Sequence, residues 1–88
     1  MLFRSWQPAP LLLEGVRVAE KIPLDRLPAL QNAMHLAGDA LDGCGRLVVR
    51  YSGTEPLLRI MIESDSAARN AEWMSRLRDA VAKDFSQI

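Results

Sequence analysis

The stretch "GRLVVRYSGTEPLLRIMIE", Gly45 to Glu63, decides the fold. Two apolar runs flank a short segment of turn formers. Arg46 to Tyr51 reads as one strand and Leu57 to Glu63 as the next, with Leu58, Ile60 and Ile62 on one face and Arg59, Met61 and Glu63 on the other. The link between them is richer than a turn requires. It offers two hydroxyls (Ser52, Thr54), a bare backbone at Gly53, a carboxylate at Glu55 and an exit fixed by Pro56, with Arg50 before it and Arg59 after it.

Outward from this hairpin the pattern changes period. Upstream, Leu11 to Val18 predicts a further strand, with Gly15 a bulge or a point of close approach. The segment 1–10 carries Pro8 and Pro10 and predicts an irregular lead-in, leaving 11–88 as one domain. Leu27, Leu30, Met34, Ala37 and Leu41 step by three and four, which predicts a helix from Asp25 or Leu27 to Leu41. Pro28 fits only its first turn, and Gly43 suits the left-handed position beyond its end. Downstream, Ser64-Asp65-Ser66 offers a helix N-cap. A second helix should run to about Phe85, burying Ala67, Ala71, Met74, Leu77, Val81 and Phe85. Its wet face carries Arg69, Glu72, Arg76, Asp79 and Lys83, including the four-apart pairs Glu72–Arg76 and Asp79–Lys83. The order β-α-β-β-α predicts an α+β two-layer sandwich: a small, mainly antiparallel sheet with two helices on one face.

Bulk properties narrow the function. Eighty-eight residues suffice for one small domain. The formal net charge of zero argues against a general nucleic-acid binder, so any anion site must be local. No apolar run approaches a membrane span, and the opening "MLFRSWQPAP" lacks a secretory pattern. The single cysteine, Cys44, cannot form an internal disulfide and reads as a small residue in a Gly-rich turn. These features predict a cytoplasmic protein. His35 sits beside the first helical stripe and reads as a polar or edge-of-core residue, with no partner for base catalysis. Asp39 and Asp42 form no metal triplet and read as solvated helix-end residues.

In the loop, small residues let successive backbone N–H groups converge on one point, which is how a concavity binds an anion. Arg50 adds a fork of donors suited to phosphate oxygens, and Glu55 could tether an arginine or a loop amide. A plain hairpin connection that happens to contain S-G-T is the other reading of the same residues.

"RYSGTEPLLRIMIE", Arg50 to Glu63, resembles the phosphate-binding signature R-x-S-G-T-E-P-x-x-R of the α-D-phosphohexomutases, most closely their phosphoglucosamine mutase branch. The element order over the whole chain resembles the fourth, C-terminal domain of these enzymes. The resemblance implies that the loop grips the phosphate that is not being transferred as glucosamine 6-phosphate and glucosamine 1-phosphate interconvert. By position, Arg50, Ser52, Gly53 and Thr54 match the phosphate-contacting residues. Glu55, Pro56 and Arg59 match the rest of the signature, in supporting roles, and Tyr51 fills a variable position where packing is expected. It further implies a phosphoserine in a first domain, a Mg²⁺ loop in a second and a sugar-binding loop in a third. None of these patterns occurs here, so the chain is expected to be one domain of a longer enzyme and to be inactive alone. Its expected partners are a hexose or hexosamine phosphate and the other domains. The same domain of a phosphomannomutase or phosphoglucomutase, or a ligand-free interaction module, are the alternatives.

Overall fold

The computed structural model describes residues 10–86. Five main elements follow the predicted order: β1 (Leu11–Arg17), α1 (Pro28–Leu41), β2 (Gly45–Tyr51), β3 (Leu57–Ser64) and α2 (Ala67–Ser86), with a 3₁₀ turn at Leu24–Arg26 before α1. The irregular lead-in predicted for 1–10 lies, apart from Pro10, outside the described residues. The strands form one antiparallel sheet in the order β1-β3-β2. The strand with the strongest apolar alternation is therefore the central one.

Leu58, Ile60 and Ile62 of β3 have no solvent exposure. Their ladder partners point the same way: Leu12, Glu14 and Val16 on β1, and Leu47, Val49 and Tyr51 on β2. This face carries both helices, α1 lying against β2 and α2 against β3 and β1, with the helices side by side. Leu27, Leu30, Leu41, Met74, Leu77 and Val81 complete the core. Fully burying one such side chain contributes about 1.5–3 kcal/mol. The other face of the sheet has no covering layer among the described residues, and Leu11, Leu13 and Val48 are exposed on it.

Local chemistry sets the element ends. Gly43 has φ +81°, the left-handed conformation expected one residue beyond the α1 cap. Gly45 is required by packing, since a Cβ there would lie 2.8 Å from Ser64 Cα and closer still to the Glu63 carbonyl oxygen. Gly15 makes no bulge. It pairs in register with Arg59, and the Leu57 side chain closes over it. The Ser66 hydroxyl accepts the Arg69 amide at 3.1 Å and so caps α2, as the serine pair predicted.

The buried stripe of α2 differs from the expectation. Ala67 and Ala71 are exposed, and the stripe runs Asn70, Met74, Leu77, Val81, Asp84. Two polar residues hold core positions because each has fixed partners. Asn70 donates through Nδ2 to the Pro10 carbonyl at 3.0 Å, and its Oδ1 accepts the Ser64 hydroxyl at 2.6 Å. Asp84 accepts the Ala29 amide at 3.0 Å and the Leu30 amide at 2.8 Å. The α1 N-cap residue, Leu27, has no side-chain acceptor, so an acid from the far end of α2 caps that helix instead. Glu72 and Arg76 pair at 3.0 Å as expected, whereas no Asp79–Lys83 pair forms among the described residues.

Candidate functional site

Residues 52–56 link β2 to β3 at one end of the sheet. The Ser52 amide donates to the Leu57 carbonyl at 2.8 Å and closes the neck of the loop. The Leu57 amide donates to the Glu55 carbonyl at 2.7 Å, tightening the exit. The Ser52 N–H is thus engaged within the hairpin and is not among the amides left over in the loop. Thr54 N lies 3.4 Å from Ser52 Oγ, a long contact, and the Gly53 and Glu55 amides donate to nothing among the described residues. Gly53, Thr54 and Glu55 are exposed.

Gly53 is informative for what does not explain it. Its φ is not positive, and a Cβ there would meet nothing within 4 Å. Neither backbone strain nor packing within the described residues asks for glycine. A bare Cα at this point leaves the neighbouring amides open to close approach from outside.

Arg50 and Arg59 are direct cross-strand partners on the open face of the sheet. Like charges opposite one another destabilise a ladder, and neither arginine has an acidic partner among the described residues. Both line a concavity of about 460 Å³ with Leu13, Arg46, Val48 and Met61. Away from the loop this face becomes apolar, in the row Leu13–Met61–Val48. Its last row holds the Arg46–Glu63 pair, 3.0 Å apart.

Glu55 does tether an arginine, and that arginine is Arg17. Its Nη2 lies 3.5 Å from Glu55 Oε1. Arg17 closes β1 opposite Leu57, and Val18, the next residue, donates its amide to the Pro56 carbonyl at 3.0 Å. Sequence reasoning missed Arg17 because nothing local shows that β1 ends beside a loop 38 residues later. Tyr51 packs, as expected. Its ring joins the core, and its hydroxyl donates to the Ile22 carbonyl at 2.6 Å. Burial pushes its phenol above the ordinary range.

The remaining candidates lie elsewhere. Of the two readings of His35 the structure has the polar one: it is exposed on α1, with Nε2 3.7 Å from Asp39 Oδ2. Asp42 is the exposed C-cap residue of α1. Cys44 is half-buried, and its sulfur accepts a hydrogen bond from Arg69 Nη1 at 3.1 Å. No three His, Cys, Asp or Glu side chains gather as a metal site among the described residues. No helix there is long and apolar enough to cross a membrane.

Comparison with known proteins bears on this geometry. Residues 13–80 match the family model of the phosphoglucomutase/phosphomannomutase C-terminal domain. The phosphoglucosamine mutase of Koribacter versatilis (strain Ellin345) is 42% identical over 72 residues, which cover 82% of this chain and 16% of that protein. That of Phenylobacterium zucineum (strain HLK1) is 40% identical over 82 residues, covering 93% and 18%. The crystal structure of Aspergillus fumigatus N-acetylphosphoglucosamine mutase, in complex with GlcNAc-6P and magnesium, aligns with a TM-score of 0.67 and 27% identity. It is matched over 88% of this chain and 16% of its own. The chain thus spans about a sixth of the length of these relatives.

Proposed function

This chain belongs to the family of phosphoglucomutase/phosphomannomutase C-terminal domains, and from that premise we propose that it is the phosphate-recognition domain of a phosphoglucosamine mutase. Arg50, Ser52, Gly53 and Thr54 hold the phosphate that is not being transferred while glucosamine 6-phosphate and glucosamine 1-phosphate interconvert. The observation that carries this reading is the Arg50–Arg59 pair: two cationic side chains on adjacent strands, at the foot of a loop, with no acid paired to them and no partner for the Gly53 and Glu55 amides among the described residues. A phosphate dianion turns that repulsion into attraction and accepts the free amides.

In this reading the domain contributes position and charge, not bond making. Arg50 supplies a planar fork to two phosphate oxygens, and the Ser52 and Thr54 hydroxyls complete the shell. Arg59 supports from the next strand. No three His, Cys, Asp or Glu side chains gather as a metal site among the described residues; in this reading the Mg²⁺ loop and the phosphoserine nucleophile are supplied by other parts of a longer, cytoplasmic enzyme. The chain alone should show no mutase turnover.

The test is an NMR titration of the 88-residue chain with inorganic phosphate. Binding is expected at a dissociation constant on the order of millimolar, weakening with salt because the donors are exposed. The Gly53, Thr54 and Glu55 amides should move most. Arg50→Ala should abolish those shifts, Arg50→Lys should restore part, and Arg76→Ala on α2 should change nothing. Shifts scattered over the helices, or the same response in the Arg50 and Arg76 variants, would return the loop to a plain turn.

A further inference from the structure

We infer that Arg17 is a positioning residue: it parks the Glu55 carboxylate on the β1 side of the loop and so keeps the Arg50–Arg59 pair free for the anion. The inference rests on the phosphate reading above. Glu55 is the one acid between Arg50 and Arg59 in sequence, and it sits on the loop that borders both. A carboxylate and a phosphate compete for the same guanidinium donors. Left untied, Glu55 is an acid on the same loop that can compete for the site it borders.

Several features hold it aside. The Leu57 N–H bond to the Glu55 carbonyl at 2.7 Å fixes the backbone of Glu55 in the loop exit. The Val18 N–H bond to the Pro56 carbonyl at 3.0 Å staples the end of β1 against that exit. Arg17 is thereby presented to Glu55 at 3.5 Å. In the next row of the open face, β1 contributes only Gly15 opposite Arg59, so β1 brings no second acceptor to that pair. Glu55 pairs with Arg17 and with no other cation among the described residues. Both partners are well exposed, at 73% and 48%, so the tie is a bias on where the carboxylate sits rather than a source of fold stability.

The experiment is a double-mutant cycle on phosphate affinity of the 88-residue chain, using Arg17→Ala, Glu55→Gln and both together, with thermal melts alongside. Arg17→Ala should weaken phosphate binding about threefold without moving the melt, the scale of an exposed pair. Glu55→Gln alone keeps the main-chain amide of residue 55 and removes only a carboxylate that is already parked, so any change in affinity should be much smaller than that of Arg17→Ala. The double variant should return to wild-type affinity, because the competitor is gone. That coupling is the signature. If the double variant stays as weak as Arg17→Ala, Arg17 touches the anion itself and the inference is wrong. It is also wrong if Glu55→Gln alone tightens binding by the factor that Arg17→Ala loosens it, since a simple sum of charges then suffices. An unchanged affinity in Arg17→Ala overturns it too. If the wild-type chain binds no phosphate, or Arg50→Ala binds as well as wild type, the reading of the loop falls first and the inference with it.

Discussion

Replacing Asp84 should unfold α1 from its first turn, although Asp84 is on α2. The residue is 4% exposed, and its carboxylate accepts two amides, Ala29 at 3.0 Å and Leu30 at 2.8 Å. These are N–H groups of the first helical turn, which have no partner within the helix. A hydrogen bond to a charged group contributes about 1.5–3 kcal/mol, and a buried donor left unsatisfied costs a similar amount. Two such bonds, partly overlapping with the ordinary worth of a cap, put Asp84→Ala at roughly 3 kcal/mol. A domain this small has only about 5 kcal/mol or somewhat more to lose. Asp84→Asn keeps one carbonyl oxygen but turns an amide N–H₂ toward a donor, so it should lose more than half as much. Urea melts followed by circular dichroism read the stability, and hydrogen exchange reads the site. Protection should collapse first at Ala29 and Leu30. Asp79→Ala, exposed on the same helix, is the control and should stay within about 0.5 kcal/mol of wild type. Equal costs for Asp84→Ala and Asp79→Ala, or unchanged protection at Ala29 and Leu30, would refute the remote cap.

The two glycines beside the site should separate fold from binding. Gly45→Ala drives a Cβ into the β3 backbone and should cost more than about 2 kcal/mol by overpacking, whereas Gly53→Ala should melt like wild type yet bind phosphate less well. Tyr51→Phe, which loses the bond to the Ile22 carbonyl, should cost about 1 kcal/mol. Because burial raises the phenol's pKa in the folded state, the Tyr51 contribution is full below the unfolded value and is lost as pH rises above about 10. The alkaline decline in stability should therefore be shallower in Tyr51→Phe.

What the sequence discloses depends on how local the cause is. The alternation at Leu58, Ile60 and Ile62 announced a buried strand face, and all three are fully buried. Gly43 and Ser66 mark helix ends because capping is settled within a few residues. The α2 stripe was misplaced at Ala67 and Ala71, since alanine satisfies either side of a helix. Asn70 and Asp84 are polar, so an apolar periodicity passes over them; their burial follows only from their partners, Pro10 and the amides of 29 and 30, lying beside them. Those partners are 60, 55 and 54 residues away. The loop motif was legible from its residue types. The closed Ser52 neck, the Arg17 tie and the facing of Arg50 with Arg59 depend on strand register, which no single segment encodes.

The strand order β1-β3-β2 also governs the sequence of events as this chain emerges from a ribosome. β1 leaves first but has no ladder partner until Leu57–Ser64 has been made. The β2–β3 hairpin closes only a short loop and forms on a microsecond scale. β1 instead waits as an unpaired strand carrying Leu11, Leu12 and Leu13, and each of its contacts closes a span of tens of residues. A chain truncated before β3 therefore presents an exposed, sticky strand, and one that extends through β3 holds all three strands of the sheet.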